Sequence, residues 1–297
     1  MIRIGVDFGG TKIEAAALDR NGRFVARRRA PTPPAYEDRL EVTRRLVTEV
    51  EQQVGERAPV LGVGGPGALS PSTGLVRNAN SAGLNGRALP VDLAEVLERP
   101  VRYANDANCL ALSEATDGAG AGCGVVFGVI IGTGCGGGIV VGGRLLEGRN
   151  GAAGEWGHAP LPWPRPEEYP GPRCGCGGRG CLEQWLSGPA FARHAGRSGE
   201  AAAAAAEQGD GEAIALIDVY ADRLARGLAM VVDVLDPDVI VLGGGMSNIA
   251  RLYEILPQMI ERHVFSDVFE TPVVKALHGD SSGVRGAAWL WPLEPEE

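Results

Sequence analysis

The chain has 297 residues and a formal net charge of -9, and its pI lies near 5.1. This length suits two domains or one large one, and the acidic balance argues against the basic face that nucleic-acid binding requires, so a small-molecule ligand is the better expectation. No apolar run reaches the roughly 18 residues of a membrane span, and the amino terminus enters a strand pattern at once instead of a signal-peptide layout, so we expect a cytoplasmic protein with no membrane partner.

The first part of the chain alternates strands with glycine-rich turns. Residues 2–7 predict a strand that runs into a turn at 8–12, and residues 13–18 predict a second strand. The pattern continues with a helix within 34–54, a buried strand at 60–64, a short helix at 91–97, a strand at 101–103 and a helix from Asn105 towards Ala115. Small residues at 117–124 are typical of a domain boundary, so we predict a smaller α/β domain over 1–117.

The same strand, glycine turn and strand recur half a chain later. Residues 125–131 are apolar enough for a strand buried on both faces, the turn 132–138 follows, and 139–142 are strand-like again. The glycines of this turn match a dinucleotide fingerprint, but that fingerprint needs a following helix, and apolar β-branched residues follow here, so we reject it. The repeat predicts a duplicated fold with two similar α/β domains facing one another across a cleft.

The rest of the second half predicts a larger α/β domain over 118–283. Prolines predict a surface loop at 160–173, and the remaining pattern predicts helices from Leu186, at 201–206 and at 213–235, a strand at 239–242, a helix around 252–260 and a strand at 272–277. A final helix at about 284–297 is expected to pack back on the first domain.

Three thiols and one imidazole lie close together in the chain. Cys174, Cys176 and Cys181 follow His158 and supply the number and type of ligands found in a closed tetrahedral zinc site, so we predict Zn²⁺ in the loop 158–181. Disulfides are the alternative, but Cys174 and Cys176 are too close to pair comfortably, and three local thiols leave one over. The other cysteines are predicted to be buried free thiols: Cys109, Cys123 and Cys135.

Three glycine turns follow strands and indicate a nucleoside triphosphate site. Bare backbone N–H groups cradle phosphate oxygens, Lys12 can offset their charge, and Asp7 can position Mg²⁺ or its waters. No Walker sequence occurs, and glycines that serve only tight turns are the alternative. The predicted nucleotide-binding residues are Asp7, Gly9, Gly10, Thr11, Lys12, Gly132, Thr133, Gly134, Gly136, Gly243, Gly244 and Gly245.

Asp106 follows a strand and begins a helix, where it can act as the base that a phosphoryl transfer to a hydroxyl requires. A carboxylate there can equally serve as a helix N-cap. Other polar residues in turns form a set of donors and acceptors suited to a polyhydroxylated ligand. They are Asn80, Asn105, Glu155, His158 and Glu183.

These motifs together resemble the ROK family of the actin-like ATPase (ribonuclease H-like) superfamily. The resemblance rests on Asp7-x-Gly-Gly-Thr-Lys12, Asn105-Asp106, Gly132-Thr-Gly-x-Gly136, Glu155-x-Gly-His158 and the Cys174 to Glu183 cluster, and it covers essentially the whole chain. It implies an ATP- and Mg²⁺-dependent sugar kinase with Asp106 as base towards a primary sugar hydroxyl. It also implies Zn²⁺ on His158, Cys174, Cys176 and Cys181, sugar contacts from the set above, and a homodimer.

Local stretches around Asn78, Leu84, Trp163 and the carboxyl-terminal residues 279–291 look most like bacterial fructokinases of the manno(fructo)kinase type. We therefore expect D-fructose as the hexose, with mannose or glucose as further substrates and an N-acetylglucosamine kinase of the same family as the alternative. A sugar-sensing protein without turnover is the competing class. ROK repressors carry an N-terminal helix-turn-helix extension, whereas the first glycine turn here comes within ten residues of Met1, so we expect no DNA-binding domain.

Overall fold

The computed structural model describes residues 2–79, 81 and 83–291. Within these ranges the strands are β1 (Arg3–Phe8), β2 (Lys12–Leu18), β3 (Phe24–Pro31), β4 (Leu61–Gly65), β5 (Ala68–Leu69), β6 (Val76–Arg77), β7 (Val101–Asn105), β8 (Val125–Ile131), β9 (Cys135–Val141), β10 (Arg144–Leu145), β11 (Val239–Gly243) and β12 (Val273–Lys275). The α-helices are α1 (Tyr36–Val54), α2 (Leu89–Leu97), α3 (Asp106–Asp117), α4 (Glu183–Leu186), α5 (Gly188–Ala195), α6 (Gly199–Glu207), α7 (Gly211–Leu235), α8 (Arg251–Glu261) and α9 (Ser282–Trp289).

The two main sheets have the same topology. Their strand orders are β3-β2-β1-β4-β7 and β10-β9-β8-β11-β12. In each sheet an antiparallel hairpin occupies one side, β1 with β2 or β8 with β9, and parallel strands continue on the other side. β8 is rich in β-branched and aromatic residues and is buried almost throughout, as a central strand should be. The predicted duplication of an α/β unit is therefore confirmed.

Helices α3 and α9 cross between the two sheets. α9 packs on β1 and β4 of the first sheet and ends at Trp289, and residues 292–297 of the predicted final helix lie outside the described range. α3 packs on α9 and also on β8 and β9 of the second sheet. The crossing is close because small residues line it: a Cβ on Gly286 would overlap the carbonyl of Cys109, and one on Gly128 would lie 2.7 Å from Ala111. α3 thus links the first sheet to the second.

The long helix α7 anchors the core of the second half. It begins at the Asp210 cap, whose Oδ1 accepts the backbone N–H of Glu212 at 2.9 Å, and it ends at Asp236 in the left-handed conformation, where the sequence predicts a stop. Its apolar face buries Leu224 and Leu228 completely, and each such side chain contributes about 1.5–3 kcal/mol to stability. No helix in the described part of the chain is long and apolar enough to cross a membrane.

The proline-rich segment 160–173 contains no strand or α-helix, as predicted, but it is not confined to the surface. Glu168 ends a single 3-10 turn and is only 4 % exposed. Its carboxylate accepts hydrogen bonds from Arg226 at 2.9 Å and from Arg223 at 2.8 Å, both on α7. Burial alone would raise the pKa of Glu168, but the two guanidinium groups outweigh it and hold the pKa at about 2. The segment is thereby fixed to α7.

Candidate active site

The first glycine turn connects β1 to β2 and places Asp7 at the edge of the cleft. A Cβ on Gly9 would lie 2.6 Å from the carbonyl oxygen of Lys12, so the turn closes only with glycine there. Gly10 and Thr11 are exposed, and Lys12 is partly exposed. Burial, and after it the negative charge of Asp106, raise the pKa of Asp7 to about 6. A carboxylate held among negative neighbours at a phosphate turn suits a divalent cation.

The second and third glycine turns lie against one another. Gly244, after β11, has φ +84°, and a Cβ there would lie 2.7 Å from the carbonyl oxygen of Ile131 at the end of β8. The turn at Gly132 and Thr133 and the start of the turn at Gly245 therefore border one cavity of about 690 Å³, together with residues of α5 and α6. The structure brings together the two turns that the sequence predicts for nucleotide binding in this half; Gly136 lies in β9 and Gly243 ends β11.

Asp106 is the first residue of α3, directly after β7. The cap of this helix is Asn105, whose Oδ1 accepts the backbone N–H of Asn108 at 2.7 Å, so the capping role considered for Asp106 belongs to its neighbour. Asp106 is exposed, its Oδ1 accepts the backbone N–H of Ala107 at 2.9 Å, and its own backbone N–H also donates to the carboxylate. Exclusion of bulk water raises its pKa, and the charge of Glu155 adds to the increase.

A second cavity, of about 240 Å³, lies beside the residues that flank Asp106 in the chain. It is lined by Asn105 at the end of β7, by Asn108 of α3, by Tyr103, by Glu155 and by loop residues that include Glu147 and Arg149. Asn105 and Glu155, both predicted to contact the sugar, thus line one cavity, and their sugar contacts stay a prediction. Asn80, also predicted to contact the sugar, lies outside the described residues.

Glu183 begins α4 and is directed at the second glycine turn. Its Oε2 accepts the backbone N–H of Cys135 at 3.2 Å, and a Cβ on Gly134 would lie 2.8 Å from the same oxygen. The carboxylate that the sequence predicts for sugar binding therefore contacts a turn that it predicts for nucleotide binding. The sequence shows the residue but not this orientation.

His158 and the three predicted thiols form one cluster. Their ligand atoms all lie within 4.8 Å of one another, with His158 Nδ1 3.6 Å from Cys174 Sγ and Cys176 Sγ 3.6 Å from Cys181 Sγ. A tetrahedral zinc with bonds of about 2.0–2.3 Å separates its ligands by roughly 3.5–3.8 Å, so the set fits this ion. His158 Nε2 points the other way, 4.0 Å from Glu155 Oε2, which leaves it available to the cleft.

None of the six cysteines, all within the described part of the chain, forms a disulfide. Burial raises the pKa of Cys181 to about 12, whereas the N–H of Gly178 lowers the pKa of Cys176. A metal ion binds such thiols as thiolates. Cys109 and Cys135 are buried as predicted, but Cys123 is only partly buried. It lies near the end of the small-residue segment before β8, where apolar neighbours in sequence do not enclose it.

Two acidic residues near the site escape prediction. Glu14 is 1 % exposed, pairs across the ladder with Asp7, and lies 3.8 Å from Lys12 Nζ. A carboxylate in the middle of an apolar strand indicates that a positively charged group pairs with it, so the sequence does contain the information needed to identify Glu14. Glu147, in contrast, lies in a loop whose sequence has no pattern that would identify it as a residue of the site.

Two sheets of repeated topology with glycine turns at both hairpins define the class: this is the actin-like ATPase fold. The family model of the ROK family matches residues 3–294, and the chain belongs to that family.

The similarity to individual ROK proteins extends over the whole chain. The N-acetyl-D-glucosamine kinase of Pectobacterium atrosepticum is 40 % identical, with 96 % of this chain and 97 % of that protein aligned. The crystal structure of a ROK hexokinase from Thermus thermophilus has a TM-score of 0.87 at 34 % identity and covers 98 % of this chain and 97 % of its own. A ROK-family glucokinase from Streptomyces griseus, in complex with glucose and AMPPNP, has a TM-score of 0.80 at 30 % identity, covering 97 % and 98 %.

Proposed function

We propose that the protein is an ATP-dependent hexose kinase in which Asp106 is the general base. The observation that carries this proposal is that Asp7 and Asp106 lie at the same edge of the first sheet, since the parallel register pairs Asp7 with Gly64 and Gly65 with Asn105. Asp7 at the phosphate turn interacts electrostatically with Asp106, and Asp106 with Glu155 at the second cavity. Of these three carboxylates, Asp106 is the one that interacts both with the carboxylate at the phosphate turn and with the carboxylate at the polar cavity. This is the position that a base between ATP and an acceptor hydroxyl must occupy.

Each of these residues has a separate role in the proposed phosphoryl transfer. The sugar's primary 6-hydroxyl gives its proton to Asp106 while its oxygen bonds to the γ-phosphorus, and the bond to the β-phosphate oxygen breaks to leave ADP. The raised pKa of Asp106 makes it a stronger base than an ordinary aspartate. The backbone of the glycine turns and Lys12 orient the phosphates. Asp7 would hold Mg²⁺ or its waters, and this ion, when bound, offsets charge on the transferred phosphoryl group.

We propose a structural Zn²⁺ on His158, Cys174, Cys176 and Cys181. The mutual distances of the four ligand atoms support it, and four protein ligands leave no position for water or substrate. Its part would be to fix the orientation of His158, whose second ring nitrogen faces Glu155. The homodimer and the cytoplasmic location remain predictions.

For the sugar, we propose N-acetyl-D-glucosamine as the first substrate to test. The support is the curated relative that carries this activity in its name and aligns with nearly the whole chain. Sequence motifs put D-fructose first and N-acetylglucosamine second, and the named relatives favour the reverse order. Fructose, mannose and glucose remain predicted substrates, ranked below N-acetyl-D-glucosamine.

The test is an assay of ADP release with N-acetyl-D-glucosamine, glucose, mannose and fructose, read as kcat/KM. We expect Asp106→Asn to keep the fold and sugar binding and to lose at least about 10²-fold in kcat. The matched control is Asp38→Asn, which removes an exposed acid from the first turn of α1, away from the cleft. Sugar binding without ADP release in the wild type would indicate a sensor, and near-normal kcat in Asp106→Asn would remove this residue as the base.

A further inference from the structure

The short helix α4 holds the second glycine turn from both sides. On the β9 side, Glu183 Oε2 accepts the backbone N–H of Cys135 at 3.2 Å. On the β8 side, the backbone N–H of Gly188, just after α4, donates to the carbonyl oxygen of Gly132 at 2.7 Å. The turn 132–134 lies between these two hydrogen bonds. Its geometry is therefore set by the segment that carries Glu183.

The same segment is tied to the polar side of the cleft. Leu182 donates its N–H to the carbonyl oxygen of Ala159 at 2.9 Å, next to His158, and Cys181 of the thiol cluster precedes it. A Cβ on Gly157 would overlap the carbonyl of Cys135, so the Glu155 to His158 turn also presses on the start of β9. Cys135 is thus contacted from the sugar side through two independent routes.

The Glu183 carboxylate has capacity for a second partner. The bond to Cys135 is the only hydrogen bond of its side-chain oxygens found among the described residues, and the side chain is partly exposed. An ionised carboxylate can accept at both oxygens. The oxygen that does not face the turn can accept a hydroxyl from a sugar held by Glu155 and His158.

We propose that Glu183 is a positioning residue that couples sugar binding to nucleotide binding. This inference rests on the proposed kinase function and adds a mechanism to it. A sugar hydroxyl on one oxygen fixes the carboxylate, and the fixed carboxylate holds the Cys135 N–H and the turn 132–134 in the geometry that receives phosphate. Binding of one ligand then lowers the entropy cost of ordering the site for the other ligand, and by thermodynamic linkage the effect is reciprocal.

The sharpest test uses two glycines of the same turn. A Cβ on Gly134 would lie 2.8 Å from Glu183 Oε2 and displace the carboxylate, whereas the nearest atom to a Cβ on Gly132 is 3.9 Å away and belongs to Ile130. Both residues belong to the turn that we propose to receive the phosphates, so both alanine variants are expected to weaken AMPPNP binding. Only Gly134→Ala should also weaken binding of N-acetyl-D-glucosamine in the absence of nucleotide, by at least about 5-fold. Equal sugar affinity in the two variants, whether both retain it or both lose it, would overturn the proposal.

A second measurement determines directly how strongly sugar binding and nucleotide binding are coupled. Isothermal titration gives the Kd of AMPPNP with and without saturating N-acetyl-D-glucosamine, and a ratio of about 5-fold or more is expected for the wild type. The ratio should fall below about 2-fold in Glu183→Ala and persist in Glu155→Gln, which weakens the sugar without a bond to the turn. A wild-type ratio near one, or an unchanged ratio in Glu183→Ala, contradicts the coupling. Failure of the proposed function is distinguishable, because the wild type would then release no ADP with any of the sugars, whatever the ratio of its AMPPNP Kd values.

Discussion

Replacing Glu168 with glutamine isolates the contribution of one buried charge to stability. The carboxylate binds Arg226 and Arg223 of α7 and accepts the backbone N–H of Arg165 at 2.9 Å. Arg226 is itself buried and also donates to the carbonyl oxygens of Pro162 and Trp163. Glutamine keeps the size and one acceptor oxygen but leaves the Arg226 charge with Asp222 as its remaining anionic partner.

Two independent routes give the same magnitude. Removing one partner of a buried ion pair costs about 3–5 kcal/mol, and the remaining partner Asp222 favours the lower end. The pKa of Glu168 falls from 4.5 to about 2 on folding, which at 1.36 kcal/mol per unit is about 3 kcal/mol. Because the folded pKa is depressed, this contribution is fully present above about pH 4.5 and is lost as the pH falls through about 2. Less than half of it remains at about pH 3.

The assay is thermal unfolding followed by circular dichroism, with Glu167→Gln as control because that neighbouring acid is exposed. We expect the Tm of Glu168→Gln to fall by about 6–12 °C at pH 7. The difference from wild type should shrink to less than half at about pH 3, where effects shared by both proteins cancel. A fall below about 2 °C, a difference that does not change with pH, or an equal effect of Glu167→Gln would refute the reasoning.

Three further predictions concern the site. Asp106 must be ionised to act as base, so kcat/KM is expected to fall as the pH drops through its raised pKa. Glu155→Gln removes a neighbouring negative charge and should shift this acid limb of the pH profile to lower pH by up to about one unit. An acid limb that does not move would contradict the electrostatic coupling of Asp106 and Glu155. Elemental analysis should find about one zinc per chain, lost in Cys176→Ser together with thermal stability but kept in Cys123→Ser, and a wild type free of metal would exclude the site. Gly245→Ala should keep the Tm yet weaken AMPPNP binding, as measured by titration, because a Cβ there meets no protein atom within 4 Å; equal affinity would remove this turn from the nucleotide site.

The sequence predicts those features whose signal is local. Each sheet begins with a strand, a glycine turn and a second strand, and this repeat shows the duplication without any long-range information. The thiol cluster is equally visible, since short spacing along the chain forces the ligands of Cys174, Cys176 and Cys181 together. In both cases the residues that meet in space are neighbours in sequence.

Features that depend on long-range contacts are not predictable in the same way. Glu168 and Arg226 are 58 residues apart, and a proline-rich loop gives no sign that one of its acids is buried. The cap of α3 shows a finer difficulty, since Asn105 and Asp106 are both good capping residues and only the backbone geometry assigns the cap to Asn105. Glu183 was expected at the sugar, and its bond to Cys135 depends on the docking of α4 against a hairpin formed 48 residues earlier.

The glycines of the three turns leave two explanations open in the sequence, tight turns or ligand approach, and the structure separates them position by position. Packing requires Gly244, which has φ +84° and faces the carbonyl of Ile131 at 2.7 Å, so its identity needs no ligand. Gly245 has open space at its Cβ and no positive φ, and Gly132 has only an ordinary contact at 3.9 Å. The fold would accept alanine at both positions. Since glycine otherwise costs conformational entropy, its presence at these two positions agrees with the proposal that a ligand approaches the backbone closely there.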